Sequence, residues 1–201
     1  MAPENRGNNY GAMAGNINAP VKIYNNIEAK KRLHSLMPTF IEILAQITNT
    51  ENPPSDSTVP LSYKIEDKIE YNQLLKYKSL VDEYGNYYLV CENAFIALDN
   101  IKNFSKERIL KSISEKYKAE KRSLLSFNHN QEISEIDLIR NNSDYIIDQI
   151  ISKIKEEIMI NYNEEDIVFE DVEFCLPVFI CYAFVECKIL ERPDNYDCIS
   201  R

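Results

Sequence analysis

The sequence contains few of the residues and spacings that enzymes and metal sites require. Its two histidines, His34 and His129, are far apart in a chain of 201 residues. There is no C-x-x-C pair, no G-x-S-x-G and no glycine-rich loop that ends in G-K-[ST]. Acidic pairs such as Glu156 and Glu157 are adjacent, whereas two-carboxylate catalysis needs acids that face each other across a cleft. We therefore expect no enzymatic activity, no metal and no cofactor.

Glycine is also scarce, and its distribution sets the N-terminal residues apart. Three of the four glycines lie within the first 15 residues, in a segment that cannot bury enough apolar surface to fold by itself. Beyond it, apolar and polar residues alternate from residue 17 to residue 24, which is typical of a strand, and Pro20 limits that strand to a sheet edge or to its own start. A lone strand must find a partner, so we predict pairing with another copy or another protein. The predicted contact residues are Ile17, Val21, Ile23 and Tyr24. The alternative is a disordered tail with chance alternation.

No apolar run in the sequence reaches the roughly 20 residues that a membrane-spanning helix needs. The segment that is apolar on every side extends from Phe174 to Val185. Such a helix is normally buried, so we predict a core helix over 176–191, with Pro177 in its first turn and Pro193 beyond its end. A strand is the alternative, because the run contains β-branched and aromatic residues, but its length favours a helix.

Apolar stripes at helical spacing predict further helices. They cover about residues 27–47, 64–84, 87–100, 105–125 and 134–158. Pro38 should kink or split the first of them, Asn142–Ser143 leaves a polar gap in the last, and Ser105 and Ser134 are predicted N-caps. The predicted fold is an all-α bundle of five or six helices around a buried C-terminal helix, with a short N-terminal strand-like segment. The predicted divisions are a Gly/Asn-rich tail (1–26), the helical bundle domain (27–193) and a polar tail (194–201).

The formal net charge of −9 argues against nonspecific nucleic-acid binding as the main task. The charges are unevenly placed, because seven basic residues lie within 106–122 whereas 132–173 is strongly acidic. Such a bipolar molecule could dock to itself or to a partner, and Glu164, Glu165 and Asp166 are predicted contact residues. Two alternatives stay open: both regions are solvated helix faces, or the basic region binds nucleic acid.

Five cysteines, an odd number, occur in a sequence without a secretory signal, which indicates a reducing cytosol and a cytoplasmic protein. Cys175, Cys181 and Cys187 recur every six residues, so on a helix each thiol points about 120° away from the last. This spacing predicts buried free thiols rather than converging metal ligands.

Two regions resemble a known family. The first reads R-G-N-N-x-G-x-x-A-G-N-I from Arg6 and leads into V-K-I-Y-N-N, which ends at Asn26. The second is KIEDKIEYNQLLKYKSLVDEY over 64–84, followed later by E-D-V-E-F-C-L-P and C-Y-A-F-V-E-C-K-I-L. Together they resemble the small helical C-terminal modules of bacterial ABC three-component (Lamassu-like) conflict systems. In that family a module of this kind follows a Gly/Asn-rich linker and recruits an effector to an ATPase complex.

The resemblance implies a role in assembly, and it offers no catalytic residues to carry over. Because no effector domain precedes the module in this sequence, we expect a scaffold or adaptor of an anti-phage defence system. We expect a homo-oligomer that docks onto a larger protein, either an ATPase or an effector. The alternative is an acidic regulatory module, such as a toxin-neutralising protein, whose region 156–173 covers a basic partner surface.

Overall fold

Apolar residues at helical spacing form eight α-helices in the part of the chain that the structure, a computed structural model, describes. The described residues are 34–50, 62–84, 87–130, 132–161 and 168–193. The helices are α1 (Met37–Thr50), α2 (Ser62–Tyr71), α3 (Lys78–Tyr84), α4 (Tyr88–Ile101), α5 (Ser105–Phe127), α6 (Glu135–Arg140), α7 (Ser143–Asn161) and α8 (Phe169–Val185). No strand occurs among these residues, and the prediction of a mostly helical protein is confirmed. The predicted strand-like segment and both predicted tails lie outside them.

Helix α8 lies in the centre of the core, where eleven of its 17 residues are buried. It packs against α1, α3, α4 and α7. The ring of Phe179 meets Phe40 of α1 edge-on at 5.2 Å between centroids, and Phe40 stacks on Phe95 of α4 at 4.2 Å. The burial expected for this helix is therefore found. Its predicted bounds, 176–191, are wrong at both ends.

The early start of α8 places Pro177 inside the helix rather than in its first turn. Proline at that position removes the hydrogen bond to the carbonyl of Glu173, four residues earlier. Glu173 is exposed, so water can reach this end of the helix, and the buried side chains that follow hold it in place. The first turn instead contains Glu170 and Asp171, which suit the positive end of the helix dipole.

The early end of α8 is a Schellman motif built without glycine. The amide of Lys188 donates to the carbonyl of Ala183 at 2.9 Å, and the amide of Cys187 donates to that of Phe184 at 3.1 Å. Cys187 adopts the left-handed conformation this motif requires, with φ of 55°. Sequence rules look for glycine at such a position, which explains why the prediction extended the helix too far.

The predicted helix over 64–84 is two helices, α2 and α3, and this split raises the count above the predicted five or six. A second Schellman motif ends α2, with Gln73 at φ of 51° and the amide of Leu74 bonded to the carbonyl of Ile69. The linker that follows is fixed to α7, because Asp144 accepts hydrogen bonds from the amides of Leu75 and Lys76. A polar turn at the Asn142–Ser143 gap likewise separates α6 from α7.

The two predicted caps have different outcomes. Ser134 is the N-cap of α6 and accepts a hydrogen bond from the amide of Asp137, as predicted. Ser105 is not a cap, because α5 begins at Ser105 and its N-cap is Phe104. Asp99 of α4 supplies the missing acceptor, with its carboxylate 2.6 Å from the Ser105 amide and 3.1 Å from the Lys106 amide. A cap contributed by another helix leaves no local signal in the sequence.

Helices α5 and α7 pack side by side, and the isoleucine stripe of α6 and α7 is buried as its spacing predicted. Its buried members are Ile139, Ile146, Ile147, Ile150, Ile154 and Ile158. Pro38 lies in the first turn of α1, where its missing N–H breaks no helical hydrogen bond. These elements belong to one compact unit that covers residues 33–201.

Candidate functional site

All the residues predicted to contact a partner lie outside the described part of the chain. They are Ile17, Val21, Ile23 and Tyr24 near the N-terminus, and Glu164, Glu165 and Asp166 between α7 and α8. The latter three are flanked on both sides by described residues, the end of α7 and the start of α8.

An apolar groove lies between the end of α7 and the start of α8, and we call it the α7–α8 groove. Its volume is about 300 Å³. It is lined by Lys155, Ile158, Met159, Val168, Phe169, Val172 and Glu173. Met159 and Phe169 leave 69% and 65% of their surface exposed, and Val168 is exposed as well. Large apolar side chains are therefore concentrated at the surface formed by the end of α7 and the start of α8.

Exposed acidic residues are adjacent in sequence to residues that line the groove. Glu156 on α7 and Glu170 on α8 are exposed, and both lie within a few residues of its apolar lining. Glu173 forms an ion pair with Lys155, which connects the two walls. A surface that is apolar at its centre and acidic at its edge favours a partner with an apolar anchor and basic flanks.

Two cavities with larger volumes, about 540 Å³ and 490 Å³, have a different character. The first lies between the α2–α3 linker and the start of α7, and most of its lining is polar or charged, with Arg140 and Asp144 among it. The second lies beside α5, where Leu110 is its one apolar lining residue. Leu75 and Tyr145 are exposed apolar side chains in the lining of the first cavity, but they lie among polar and charged residues, whereas most of the lining of the α7–α8 groove is apolar.

The basic region of α5 is divided between internal and external contacts. Lys106, Lys116 and Lys121 point inward and pair with Glu92 at 2.8 Å, Glu157 at 2.7 Å and Glu135 at 2.6 Å. The outward-facing cations are Arg108, Lys111, Lys118 and Arg122. Much of the charge complementarity seen in the sequence therefore acts inside the molecule, between α5 and its neighbours. This leaves less positive charge for the alternative role in nucleic-acid binding.

The turn between α4 and α5 presents a second group of exposed apolar side chains, and we call residues 101–104 the Phe104 corner. Phe104 and Ile101 are 66% and 71% exposed. Phe104 also adopts a left-handed backbone conformation, with φ of 62°, which is an outlier for a bulky residue. The Asp99 carboxylate and the bond from the Ser105 hydroxyl to the Lys102 carbonyl hold the turn in this form. Sequence reasoning missed this corner.

A buried polar cluster fixes the chain beyond α8, and we call it the Glu191 cluster (Lys68, Asn72, Tyr117, Lys121 and Glu191). Lys68 is fully buried and donates to the carbonyls of Phe184 and Ile189. Asn72 donates to the Glu191 carbonyl and accepts from the Glu191 amide, at 2.8 and 2.9 Å. The Glu191 carboxylate accepts from Tyr117 and Lys121, both at 2.6 Å. Lys68 and Asn72 bond to the backbone beyond α8, and Tyr117 and Lys121 bond to the Glu191 side chain, so this cluster is structural.

A second polar network joins α4, α5 and α8 around Glu92. Its carboxylate accepts hydrogen bonds from Tyr182 and, at 2.8 Å, from Lys106. Burial raises the pKa of Glu92, but the hydrogen bonds from Lys106 and Tyr182 outweigh it and hold that pKa below its ordinary value. Burial and the bond to Glu92 raise the pKa of Tyr182 far above its usual range. These groups keep fixed protonation states near neutral pH, so they join helices and are poorly suited to proton transfer.

The cysteines and histidines form no metal site in the described part of the chain, where no three His, Cys, Asp or Glu side chains converge. Cys175 and Cys181 are free and buried, and burial raises the pKa of each thiol to about 12. Cys187 is half-buried at the end of α8. His129 lies at an exposed turn, with Nδ1 3.0 Å from the Ser126 carbonyl oxygen.

Comparisons with known proteins identify no relative. No family model matches the chain, and neither a curated protein nor a solved structure shows significant similarity to it. Within the described residues, no helix has both the length and the apolar character that crossing a membrane would take. The α7–α8 groove, defined by geometry alone, is therefore the candidate functional site.

Proposed function

We propose that this chain is a non-enzymatic assembly or adaptor component that acts through protein–protein interaction. The observation that carries the proposal is the α7–α8 groove, where Met159, Val168 and Phe169 are exposed around an apolar cavity. Apolar side chains clustered at a surface and edged by polar residues are typical of protein-interaction sites. Aromatic side chains in such a cluster commonly supply much of the binding energy.

The groove is supported by the packed helices beneath it. Ile158 and Val172, at its floor, are buried in the core, and α8 beyond them is the most deeply buried helix. A surface supported in this way loses little conformational freedom on binding, which favours affinity. In this proposal the helical bundle around α8 is a rigid body and the groove is its docking surface.

The resemblance to helical modules of bacterial conflict systems gives the proposal its biological setting. We propose a component of an anti-phage defence system that oligomerises and docks onto a larger ATPase or effector. The N-terminal residues, with Ile17, Val21, Ile23 and Tyr24, would supply an additional contact by pairing as a strand. This part rests on the sequence resemblance, while the groove supports the more general role in protein interaction.

A capture experiment with a matched control tests the proposal. The tagged full chain is used to capture partners from the native cells at moderate salt, in parallel with Phe169→Ser and Phe127→Ser. Phe127 is the control because it is 85% exposed and lies at the far end of α5. We expect Phe169→Ser to lose a protein that the wild type and Phe127→Ser both recover at fixed stoichiometry. Equal recovery by all three chains would show that the groove is not the docking surface.

A second candidate function is an acidic module that neutralises a small basic protein. The exposed acids next to the groove, Glu156 and Glu170, favour it together with the predicted Glu164, Glu165 and Asp166. Reversal of the last three charges to lysine should then abolish recovery of a single small basic protein. Recovery of that protein unchanged would exclude this candidate.

A further inference from the structure

We infer that the α7–α8 groove receives the Phe104 corner of a second copy of this chain. The inference rests on the proposed function, in which the groove is a docking surface, and it names the occupant. Both surfaces belong to the described residues, and both expose large apolar side chains. The Phe104 corner is exposed in its own molecule, so it is available to enter the groove of another copy.

The sizes of the two surfaces agree. The groove has a volume of about 300 Å³ and an apolar lining. A protein cavity of about 150 Å³ is sufficient to hold a benzene molecule, so this groove can accept the phenyl ring of Phe104 together with part of a neighbour such as Ile101. An aromatic side chain inserted in an apolar pocket is a common anchor of protein interfaces.

The charges of the two surfaces are complementary. The corner contains Lys102, and Arg108 follows one turn later on α5, both exposed and without an ion pair in the described residues. The exposed acids Glu156 and Glu170 are adjacent in sequence to Lys155 and Phe169, which line the groove. Opposite charges around an apolar contact favour the correct orientation of the two copies and speed their association.

The backbone of the corner is strained in a way that presents the aromatic ring. Phe104 has φ of 62°, and a bulky residue in this region costs free energy that its exposed side chain does not recover within one molecule. Hydrogen bonds from the amides of Ser105 and Lys106 to Asp99 hold the turn in place. A turn whose backbone is already held before binding loses less entropy when it enters a pocket.

Sedimentation equilibrium of the purified full chain tests the inference. We expect the mass of the wild type to rise above 23.4 kDa as its concentration increases. Phe104→Asn removes the ring while placing at this position a residue that tolerates the left-handed conformation. Phe104→Asn and Phe169→Ser should each weaken self-association by at least about 30-fold, the loss typical of an interface anchor. The control Phe127→Ser should behave as the wild type.

Mixing the two variants gives a second, sharper readout. Phe104→Asn retains an intact groove and Phe169→Ser retains an intact corner, so together they can form one complete contact. At concentrations where each variant alone stays monomeric, we expect the mixture to associate into pairs and no further. A corner variant that associates as strongly as the wild type, or a mixture that stays monomeric, would overturn the inference.

The outcome separates this inference from the proposed function. A wild-type chain that stays monomeric at every concentration refutes docking between copies. If Phe169→Ser nevertheless loses a cellular partner in the capture experiment, the groove binds a different protein and the proposed function stands. If the groove variant changes neither self-association nor capture, both are wrong.

Discussion

At its C-terminal end helix α8 is enclosed by polar side chains from α2 and α5, whereas at its N-terminal end it leaves Val168 and Phe169 exposed. Lys68, Asn72 and Tyr117 come from distant parts of the sequence and bond to the residues after Phe184. The N-cap Val168, by contrast, makes no side-chain capping bond. The same helix is thus fixed at one end and left open to solvent at the other.

This difference indicates that the C-terminal end of α8 contributes to the stability of the fold, whereas its N-terminal end is available for interaction with a partner. Two helix C-termini, those of α2 and α8, lie close together, and each has the partial negative charge of its unpaired carbonyls. The ammonium group of Lys68, in the last turn of α2, bonds to the carbonyls of Phe184 and Ile189 and offsets the negative charge at the end of α8. At the other end, exposed apolar side chains add little to the stability of the monomer and are available for a partner. We therefore expect substitutions at the two ends to have different consequences.

The largest expected effect is at Lys68. Lys68→Met removes both hydrogen bonds to the α8 terminus and the contact of the ammonium group with the Phe184 ring, 4.2 Å from its centroid. Because the Ile189 carbonyl loses the Lys68 donor and the Phe184 carbonyl keeps backbone donors such as the Cys187 amide, we expect a loss of about 3 kcal/mol in the free energy of unfolding, measured with urea. Lys118→Met is the control, because Lys118 forms an exposed ion pair with Glu115. It should change the free energy of unfolding by less than about 0.5 kcal/mol. Similar losses in both variants would contradict the role given to Lys68.

A smaller, pH-dependent effect is expected at Glu191. Burial raises the pKa of its carboxyl, but hydrogen bonds from Lys121 and Tyr117 outweigh it and hold the pKa below the ordinary value of 4.5. A carboxyl whose pKa is lower in the folded state than in the unfolded state stabilises the fold fully when the pH is above the unfolded-state pKa. This stabilisation is lost as the pH falls through the folded-state pKa. Glu191→Gln should therefore cost about 1 kcal/mol near neutral pH, and the difference from the wild type should shrink in acid. A difference that is constant with pH would count against the ionised cluster.

Cys187 offers a substitution that should stabilise the C-terminal end. Its φ of 55° is unfavourable for a residue with a side chain and natural for glycine. Cys187→Gly removes that strain but increases the entropy of the unfolded chain, so we expect a net gain of about 0.5 kcal/mol in thermal or urea unfolding. Lys188→Gly, one residue further on, should destabilise instead. If both glycines destabilise equally, the helix does not end at this motif.

The smallest expected effect on stability is at the groove. Phe169 is largely exposed, so Phe169→Ser should change the free energy of unfolding by less than about 0.5 kcal/mol. Phe179→Ser, in the core of the same helix, should cost more than about 3 kcal/mol. A strong loss of stability in Phe169→Ser would mean that this end of α8 serves the monomer rather than a partner.

The sequence was sufficient to predict which segments are apolar and helical. The isoleucine spacing of α7 and the all-round apolar character of 174–185 indicated buried faces, and these are buried. The Ser134 cap was also predictable, because it depends on residues three positions apart. Each of these features is local, so its signal lies within a few adjacent residues.

The candidate site could be predicted only in part. Val168 and Phe169 lie within the acidic region 156–173 that the sequence indicated as a contact, but Met159, on the other wall of the groove, lies on a different helix, and no sequence pattern pairs it with them. Phe104 left no signal, because its exposure depends on Asp99 capping α5 from another helix. The inward-facing lysines of α5 could not be told from the outward-facing ones by composition alone.

The sequence by itself determined the helical character, the buried central segment and the uneven distribution of charge, because periodicity and composition act over short distances. The tertiary structure decided where α8 begins and ends, which lysines are buried and which apolar side chains are left at the surface. Those outcomes depend on contacts such as Lys68 with Phe184, which are separated by 116 residues. Contacts between residues so far apart in the sequence form only when the whole chain has packed, so no local sequence pattern could predict them.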